Sequence, residues 1–369
     1  MLLRMPRAIR FYENGGPEVL RLEQVEPGKP APGEVQIRHS AIGVNYIDVY
    51  DRTGLYPVSL PSGLGREAAG VITTLGRGVR GLRVGERVAY VFPSPGAYSE
   101  VRNVPAERVV RVPRGISDEQ AAALMLKGLT AHFLIRRTHK VARGETILVH
   151  AAAGGVGLIL CQWAKALGAT VIGVVGSEAK AELARKHGCK HVLISGRDEL
   201  VASVKNLTKG AGVAVVYDAV GKDTFVESLD CLRRLGMMVT FGNASGPPPA
   251  ISPLELSKRG SLFLTRPTLF NYIASRAELE AAARELFAAV RAKKVRVVNV
   301  PMGISLASKS EDDCAESPCA LECARPRAPF HLLVPPRTAE ADAGTARRRG
   351  EVFLLSQASA AFFPAQGLG

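Results

Sequence analysis

The sequence predicts a two-domain α/β protein, a compact and mainly antiparallel β domain followed by a doubly wound parallel sheet. Three observations carry this expectation. The first 125 or so residues are short β-branched runs broken by Gly and Pro. From about Glu145 the chain alternates strand-like and helix-like segments at the spacing of βαβ units. The first of these alternations passes through a turn of small residues, "AAAGGVG" (Ala151–Gly157).

In order along the chain, "EVQIRHSAIGV" (Glu34–Val44), "AAGVITTLG" (Ala68–Gly76) and "GERVAYV" (Gly85–Val91) read as strands. "ISDEQAAALMLKGLTAHFLIRR" (Ile116–Arg137) reads as a helix, with Ser117 as N-cap and Asp118 and Glu119 in the first turn. "TILVHA" is a strand, "GGVGLILCQWAKALG" a helix closed by Gly168, and "TVIGVVG" a strand. "SEAKAELARKHG" is a helix, "HVLI" a strand and "DELVASVKNLTKG" a helix. "VAVVYDAVG" is then a strand, "TFVESLDCLRRLG" a helix and "MMVTFGN" a strand. "GSLFLTRPTL" (Gly260–Leu269) is a further strand, and Ser275 with Glu278 forms a capping box for a helix running to Val295.

The 369 residues suffice for two domains with a sizeable core. Hydrophobic residues make up 47% and charged residues 22%, as in ordinary globular proteins. No apolar stretch reaches the roughly 18 residues that cross a bilayer, and the opening "MLLRMPRAIRF" lacks a signal peptide's apolar region. Six Cys without regular spacing argue against a disulfide framework, so a reducing, cytoplasmic setting is expected. The net charge of +14 is scattered, its longest run being Arg347–Arg349. That pattern suits a solvated surface, with or without a pocket for an anion, and supports nucleic-acid binding only weakly.

The turn after "TILVHA" gives Ala152-x-Gly154-x-x-Gly157, a dinucleotide fingerprint with Ala for its first Gly. Gly154, Gly155 and Val156 would bring backbone close to a pyrophosphate at a helix N-terminus, and Gly157 would let helix and strand pack closely. The second strand ends in Gly176 and is followed by Ser177 and Lys180 instead of the acid that binds a ribose 2′-hydroxyl. A hydroxyl and an ammonium suit a 2′-phosphate, so NADPH is the expected cofactor. Glu178 is the competing feature and reads as a first-turn acid meeting the helix dipole.

With these segments, "NGGPEVL" (Asn14–Leu20), "AIGVNYIDVYDRTGLYP" (Ala41–Pro57), "LPSGLGREAAG" (Leu60–Gly70), "LKGLTA" (Leu126–Ala131), "VVYDAVG" (Val215–Gly221) and "SLDCLRRLGMMVTFGNASG" (Ser228–Gly246) make the chain resemble the zeta-crystallin-like quinone oxidoreductases of the medium-chain dehydrogenase/reductase superfamily. The resemblance covers about residues 6–298. It implies a GroES-like domain over 1–127, an NADPH-binding Rossmann domain over 128–267 and a return to the first domain over 268–298. It also implies NADPH-dependent reduction of quinones by a homodimer joined through the Rossmann sheets. On the same resemblance, Asn45 and Tyr50 contact the nicotinamide end, Asp48 orders the turn between them, and Tyr46 and Tyr56 line the substrate slot. Lys127 and Thr130 open the helix between the domains, Thr130 matching a cofactor contact. Phe241, Gly242 and Asn243 follow the last Rossmann strand, and Leu264–Arg266 would close over the nicotinamide. Zinc-dependent alcohol dehydrogenases share the fold but supply a Cys where this chain has Asn45 and a His where it has Arg66, so no metal is expected. Enone reduction, or a catalytically impaired nucleotide- or RNA-binding isoform, are the alternatives.

The chain departs from the family in two places. Ser195 stands where the family commonly puts a Tyr near the adenosine 2′-phosphate. Over 299–369 the family's closing helix and strand are absent from the pattern, and the segment reads as an irregular tail, either from a changed frame or splice near Asn299 or as a genuine divergent extension. Its apolar runs "FHLLVPP" (Phe330–Pro336) and "EVFLLS" (Glu351–Ser356) are the ones able to substitute for that strand, and are expected to do so poorly.

Overall fold

The computed structural model describes residues 5–297, 300–302 and 353–356. The described residues form two compact units. The first holds the chain up to Val112, Ser117–Ala123 and the two short C-terminal strands; the second holds Pro113–Ile116 and the chain from Leu124 to 297.

In the first unit β1 (Arg7–Phe11) pairs antiparallel with β2 (Arg21–Gln24). The long strand β3 (Glu34–Gly43) leads into helix α1 (Tyr46–Thr53) and then the short β4 (Ser62–Gly63), which pairs with β1. Strands β5 (Glu67–Leu75), β6 (Arg87–Val91), β7 (Val101–Pro105) and β8 (Val109–Arg111) build an antiparallel sheet on β3. Ile37, Ile42, Ile72, Val88 and Tyr90 are fully buried in it, so alternate residues of these strands form the core. The expected strands are present to within two residues at each end.

Helix α2 (Asp118–Phe133) starts as read. Ser117 Oγ accepts the Gln120 N–H while Gln120 Oε1 accepts the Ser117 N–H, a reciprocal cap. The helix ends in a π turn, Leu134–Thr138. The second unit then runs β9 (Thr146–Val149), α3 (Gly155–Ala166), β10 (Thr170–Val175), α4 (Glu178–Lys186), β11 (His191–Ile194), α5 (Leu200–Leu207), β12 (Val213–Asp218), α6 (Phe225–Asp230) and β13 (Leu232–Thr240). After α7 (Leu254–Lys258) comes β14 (Phe263–Thr265), then α8 (Leu269–Tyr272) and α9 (Arg276–Arg291). The sheet is parallel with order β11-β10-β9-β12-β13-β14. The order reverses between β9 and β12, which makes the carboxyl ends of those strands the place where an open α/β sheet binds ligands.

One expectation needs correction. The helix read from Thr224 to Gly236 stops at Asp230, and "LRRLG" belongs to β13. Leu232 pairs with Val213 and Met237 with Val215, so the residues between them bulge out of the ladder, with Leu235 at φ 60°. Pairing to β12 overrides the helix propensity of Leu and Arg. Within the second unit, α9 packs on the part of α2 after Leu124 and on the π turn that follows it. Glu285 meets His132 at 3.2 Å, Glu278 meets Arg137 at 3.2 Å, and a Cβ at Gly128 would stand 2.7 Å from Leu286 Cδ2, so that side chain would have to shift.

The tail supplies β15 (Val300–Met302) and β16 (Phe353–Ser356), which pair with each other. β16 runs parallel to β3, Phe353–Leu355 beside Ala41–Gly43, on the edge that β7 occupies farther back at Glu34–Arg38. "EVFLLS" therefore does join the sheet, whereas "FHLLVPP" lies outside the described residues.

His39 sits in the core of β3, 4% exposed. Its Nδ1–H donates to the Ser99 carbonyl at 2.7 Å, so Nε2 accepts from the Tyr90 hydroxyl at 3.1 Å. Burial lowers its pKa from 6.5 to about 4. Burial also lowers His132 and His150. Above pH 6.5 the ring is neutral in both folded and unfolded chains. Below it the unfolded chain takes up a proton that the folded ring refuses until about pH 4. Urea unfolding should show stability falling by about 3 kcal/mol between those pH values from His39 alone, and His39→Gln should flatten that slope.

Candidate active site

The first group of candidate residues surrounds the N-terminus of α1. Asn45 is the N-cap, with extended backbone, and its N–H donates to Asp48 Oδ2 at 2.8 Å. Its side-chain Nδ2 donates to Glu67 Oε1 at 2.8 Å. Asp48 Oδ2 also accepts from the Tyr98 hydroxyl at 2.9 Å. Burial, then the charge of Asp48, raise the Tyr98 pKa well above its usual value, so Tyr98 is a donor at neutral pH. Asn45, Asp48 and Glu67 are all buried. Asp48 thus ties the Asn45 backbone at the start of α1 to Tyr98.

The three tyrosines form a ladder. The rings of Tyr46 and Tyr50 lie 5.3 Å apart and those of Tyr50 and Tyr56 5.1 Å apart, both edge to face. Tyr50 is 8% exposed and Tyr46 39%. Arg66 is tied to the last turn of α1. It donates through Nε and Nη2 to Asp51 at 2.9 and 2.7 Å. Among the described residues no three His, Cys, Asp or Glu side chains gather as a metal site.

The second group lies at the carboxyl ends of β9, β10, β12 and β13. Gly154 is the N-cap of α3, and the first bond of the turn is Leu158 N–H to the Gly154 carbonyl at 2.9 Å. The N–H groups of Gly155, Val156 and Gly157 precede it and have no intrahelical acceptor, which is the donor set an oxyanion needs. A Cβ on Gly157 would stand 2.3 Å from the Ala151 carbonyl oxygen, so the helix meets the turn with no room for a side chain. Ala152, in place of the first fingerprint Gly, is fully buried and donates its N–H to the Val174 carbonyl. A Cβ on Gly176 would meet open space. These features fit a dinucleotide pyrophosphate.

Gly176, Ser177 and Lys180 are exposed together at the end of β10. Ser177 Oγ accepts the Lys180 N–H at 3.4 Å as the cap of α4. Glu178 is held by Arg185 at 3.2 Å and by Arg197 at 3.0 Å, and those bonds keep its pKa low. Sequence reading missed Arg197. Two residues past Ser195, itself exposed, it is brought to the start of α4 through Glu178.

Phe241, Gly242 and Asn243 continue β13, and they are zipped to the end of β12. Phe241 N–H donates to the Asp218 carbonyl at 2.7 Å, Ala244 N–H to Ala219 and Ser245 N–H to Val220. Asp218, fully buried, accepts from the Val220 N–H at 2.7 Å and the Thr224 hydroxyl at 3.0 Å, a turn-forming role that the sequence reading also missed. Leu264 pairs with Met238 and Thr265 with Val239, and Arg266 Nη1 donates to the Thr240 carbonyl at 3.0 Å, so Leu264–Arg266 lies beside Met238–Thr240, the strand end that leads into Phe241. Lys127 and Thr130 are buried one turn apart on α2.

A GroES-like sheet unit followed by this doubly wound sheet and fingerprint turn defines the medium-chain dehydrogenase/reductase class. The family model for the alcohol dehydrogenase GroES-like domain matches residues 31–114, and that for zinc-binding dehydrogenases matches 155–288. The chain is 51% identical over 294 residues to a quinone oxidoreductase of Salmonella typhimurium, covering 79% of this chain and 90% of that protein. It is 46% identical to a 2-haloacrylate reductase of a Burkholderia species, covering 78% and 89%. The crystal structure of Escherichia coli quinone oxidoreductase complexed with NADPH superposes with a TM-score of 0.78 at 49% identity, over 79% of this chain and 90% of that one. The chain belongs to the quinone oxidoreductase family of the medium-chain dehydrogenase/reductase superfamily.

The close approach at Gly157 gives a direct test. Gly157→Ala should cost about 1–3 kcal/mol by overpacking and should abolish saturable nucleotide binding in a fluorescence titration. A variant with parental melting temperature and nucleotide affinity would contradict the tight helix-to-turn contact.

Proposed function

We propose that this chain is a zinc-independent oxidoreductase that transfers a hydride from NADPH to quinones. The observation that carries the cofactor choice is at the end of β10. There Ser177 and Lys180 stand where an NAD-dependent site has an acid, and the nearby acid, Glu178, is occupied by Arg185 and Arg197. Bound NADPH supplies the hydride from C4 of its nicotinamide. The chain's part is to bind, orient and exclude water. The N–H groups of Gly155 and Val156 hold the pyrophosphate, while Ser177, Lys180 and Ser195 take the 2′-phosphate, joined by Arg197.

Asn45, Tyr50, Thr130, Phe241, Gly242, Asn243, Leu264 and Arg266 serve the nicotinamide end. Asn45 is oriented by Glu67, and Asp48 fixes the turn that presents it. The Tyr46–Tyr50–Tyr56 ladder supplies an aromatic slot for a planar acceptor. A quinone is already electrophilic, so it needs placement and hydrogen bonding of the developing oxyanion and no Lewis acid. The positions at which zinc enzymes carry Cys and His are here committed to Glu67 and Asp51.

A second reading, reduction of activated alkenes, is favoured by the 46% identity to a 2-haloacrylate reductase. Both readings use the same hydride geometry. A homodimer through the edge of the parallel sheet is supported by β14, where Phe263 is 56% and Leu264 40% exposed. No described helix is long and apolar enough to cross a membrane. A cytoplasmic setting fits three buried free thiols, Cys161, Cys189 and Cys231. RNA binding rests on net charge alone, and many of the arginines are engaged in ion pairs.

The purified protein should oxidise NADPH with a panel of quinones, faster than with a short enone, and should keep that activity after exhaustive chelation. NADPH should bind more tightly than NADH. Lys180→Ala should weaken NADPH about tenfold, the loss of one charge-assisted contact, and leave NADH unchanged. Equal dissociation constants for the two cofactors in the parent would sink the assignment.

A further inference from the structure

Asp51 and Arg66 form an ion pair that none of the chemistry above uses. Arg66 donates both fork nitrogens to the two oxygens of Asp51, at 2.9 and 2.7 Å. The Asp51 side chain is fully buried and that of Arg66 is 9% exposed. Burial pushes the Asp51 carboxyl up, and the bonds from Arg66 oppose that rise. Such a pair is a poor source of stability, because desolvation cancels most of the attraction and a well-packed apolar pair does as well. What a bidentate fork adds is geometry.

The geometry here is specific. Helix α1 has eight residues, too few to be stable alone. Its N-cap Asn45 is bonded to Glu67, and its last turn is bonded through Asp51 to Arg66. Arg66, just before β5, and Glu67, its first residue, therefore hold the helix at both ends. Between the grips lie Tyr46 and Tyr50, whose rings continue through Tyr56. Rotation of α1 about its axis would carry the whole aromatic face with it; the Asn45–Glu67 and Asp48–Tyr98 bonds hold its first turn, and in the last turn the Asp51–Arg66 fork is the side-chain hold beside the Gly15 N–H on the Arg52 carbonyl.

We infer that Asp51 and Arg66 are positioning residues that fix the rotation of α1 and so set the aromatic slot that receives the electron acceptor. This rests on the reading above that Tyr46 and Tyr56 line that slot. The test uses full-length protein and steady-state kinetics with NADPH and phenanthrenequinone, beside thermal melting and NADPH titration. Arg66→Lys keeps the charge and loses the fork. The double variant Asp51→Leu/Arg66→Met removes the charges and keeps the volume. Both should lower kcat/KM for the quinone about tenfold, chiefly through KM. The NADPH dissociation constant should stay within about twofold, and the double variant should melt no lower than the parent.

Unchanged quinone kinetics in either variant would overturn the inference. So would a loss of activity that only follows a loss of melting temperature in both. Tyr46→Ala/Tyr56→Ala in the parent separates this inference from the reading beneath it. If that variant keeps the parental KM, the slot assignment falls and the inference with it. If its KM rises while the ion-pair variants keep theirs, the slot stands and the positioning role alone is wrong.

Discussion

Helix α3 stands against its strand because nothing projects from Gly157. A single methyl there would meet the Ala151 carbonyl at 2.3 Å. Much of the second unit follows from that contact. It sets where the helix begins, and hence where the free N–H groups of Gly155 and Val156 sit. Those groups lie at the carboxyl end of β9, beside the point where strand order reverses. The same end collects the Ser177–Lys180 turn and the zipped loops after β12 and β13. Binding chemistry gathers there because one backbone contact admits no side chain.

Much of this was legible in the residues themselves. Strand and helix periods, with Gly168 and Gly188 as stops, gave the second unit's order because each element's pattern is local. The capping box at Ser275 and the N-cap at Ser117 were readable for the same reason. Failures occurred where a distant partner decides. Leu232–Gly236 has helix-forming residues, yet pairing with β12 draws it into a strand. Arg197 becomes part of the nucleotide end only through Glu178, 19 residues earlier. Arg66 was noted for what it is not, a metal ligand. Its partner Asp51, 15 residues earlier, was visible only once α1 had been docked.

The two candidate groups are built on different physics. The nucleotide end of the second unit is mostly backbone: helix N–H groups, glycines and turns closed by Asp218. Such a surface tolerates change in side chains that do not alter the chain path. The α1 group in the first unit is the reverse. It depends on buried side chains, Asn45 on Glu67, Asp48 on Tyr98 and Asp51 on Arg66, each costly to leave without its partner. Substitutions there are therefore expected to be severe and strongly non-additive.

The pairing of β16 with β3 bears on how the polypeptide matures as it leaves the ribosome. Ala41–Gly43 lies near the beginning and Phe353–Leu355 near the end, roughly 300 residues apart, a closure among the slowest a chain can make. Everything the parallel sheet requires is synthesised between those two points. The nucleotide-binding unit can therefore be complete while the edge of β3 next to Asn45 still awaits its neighbour. For that interval the nascent protein has a finished cofactor cradle and an open strand edge in its first unit. That edge is the natural place for a chaperone, or a mistaken partner, to dock.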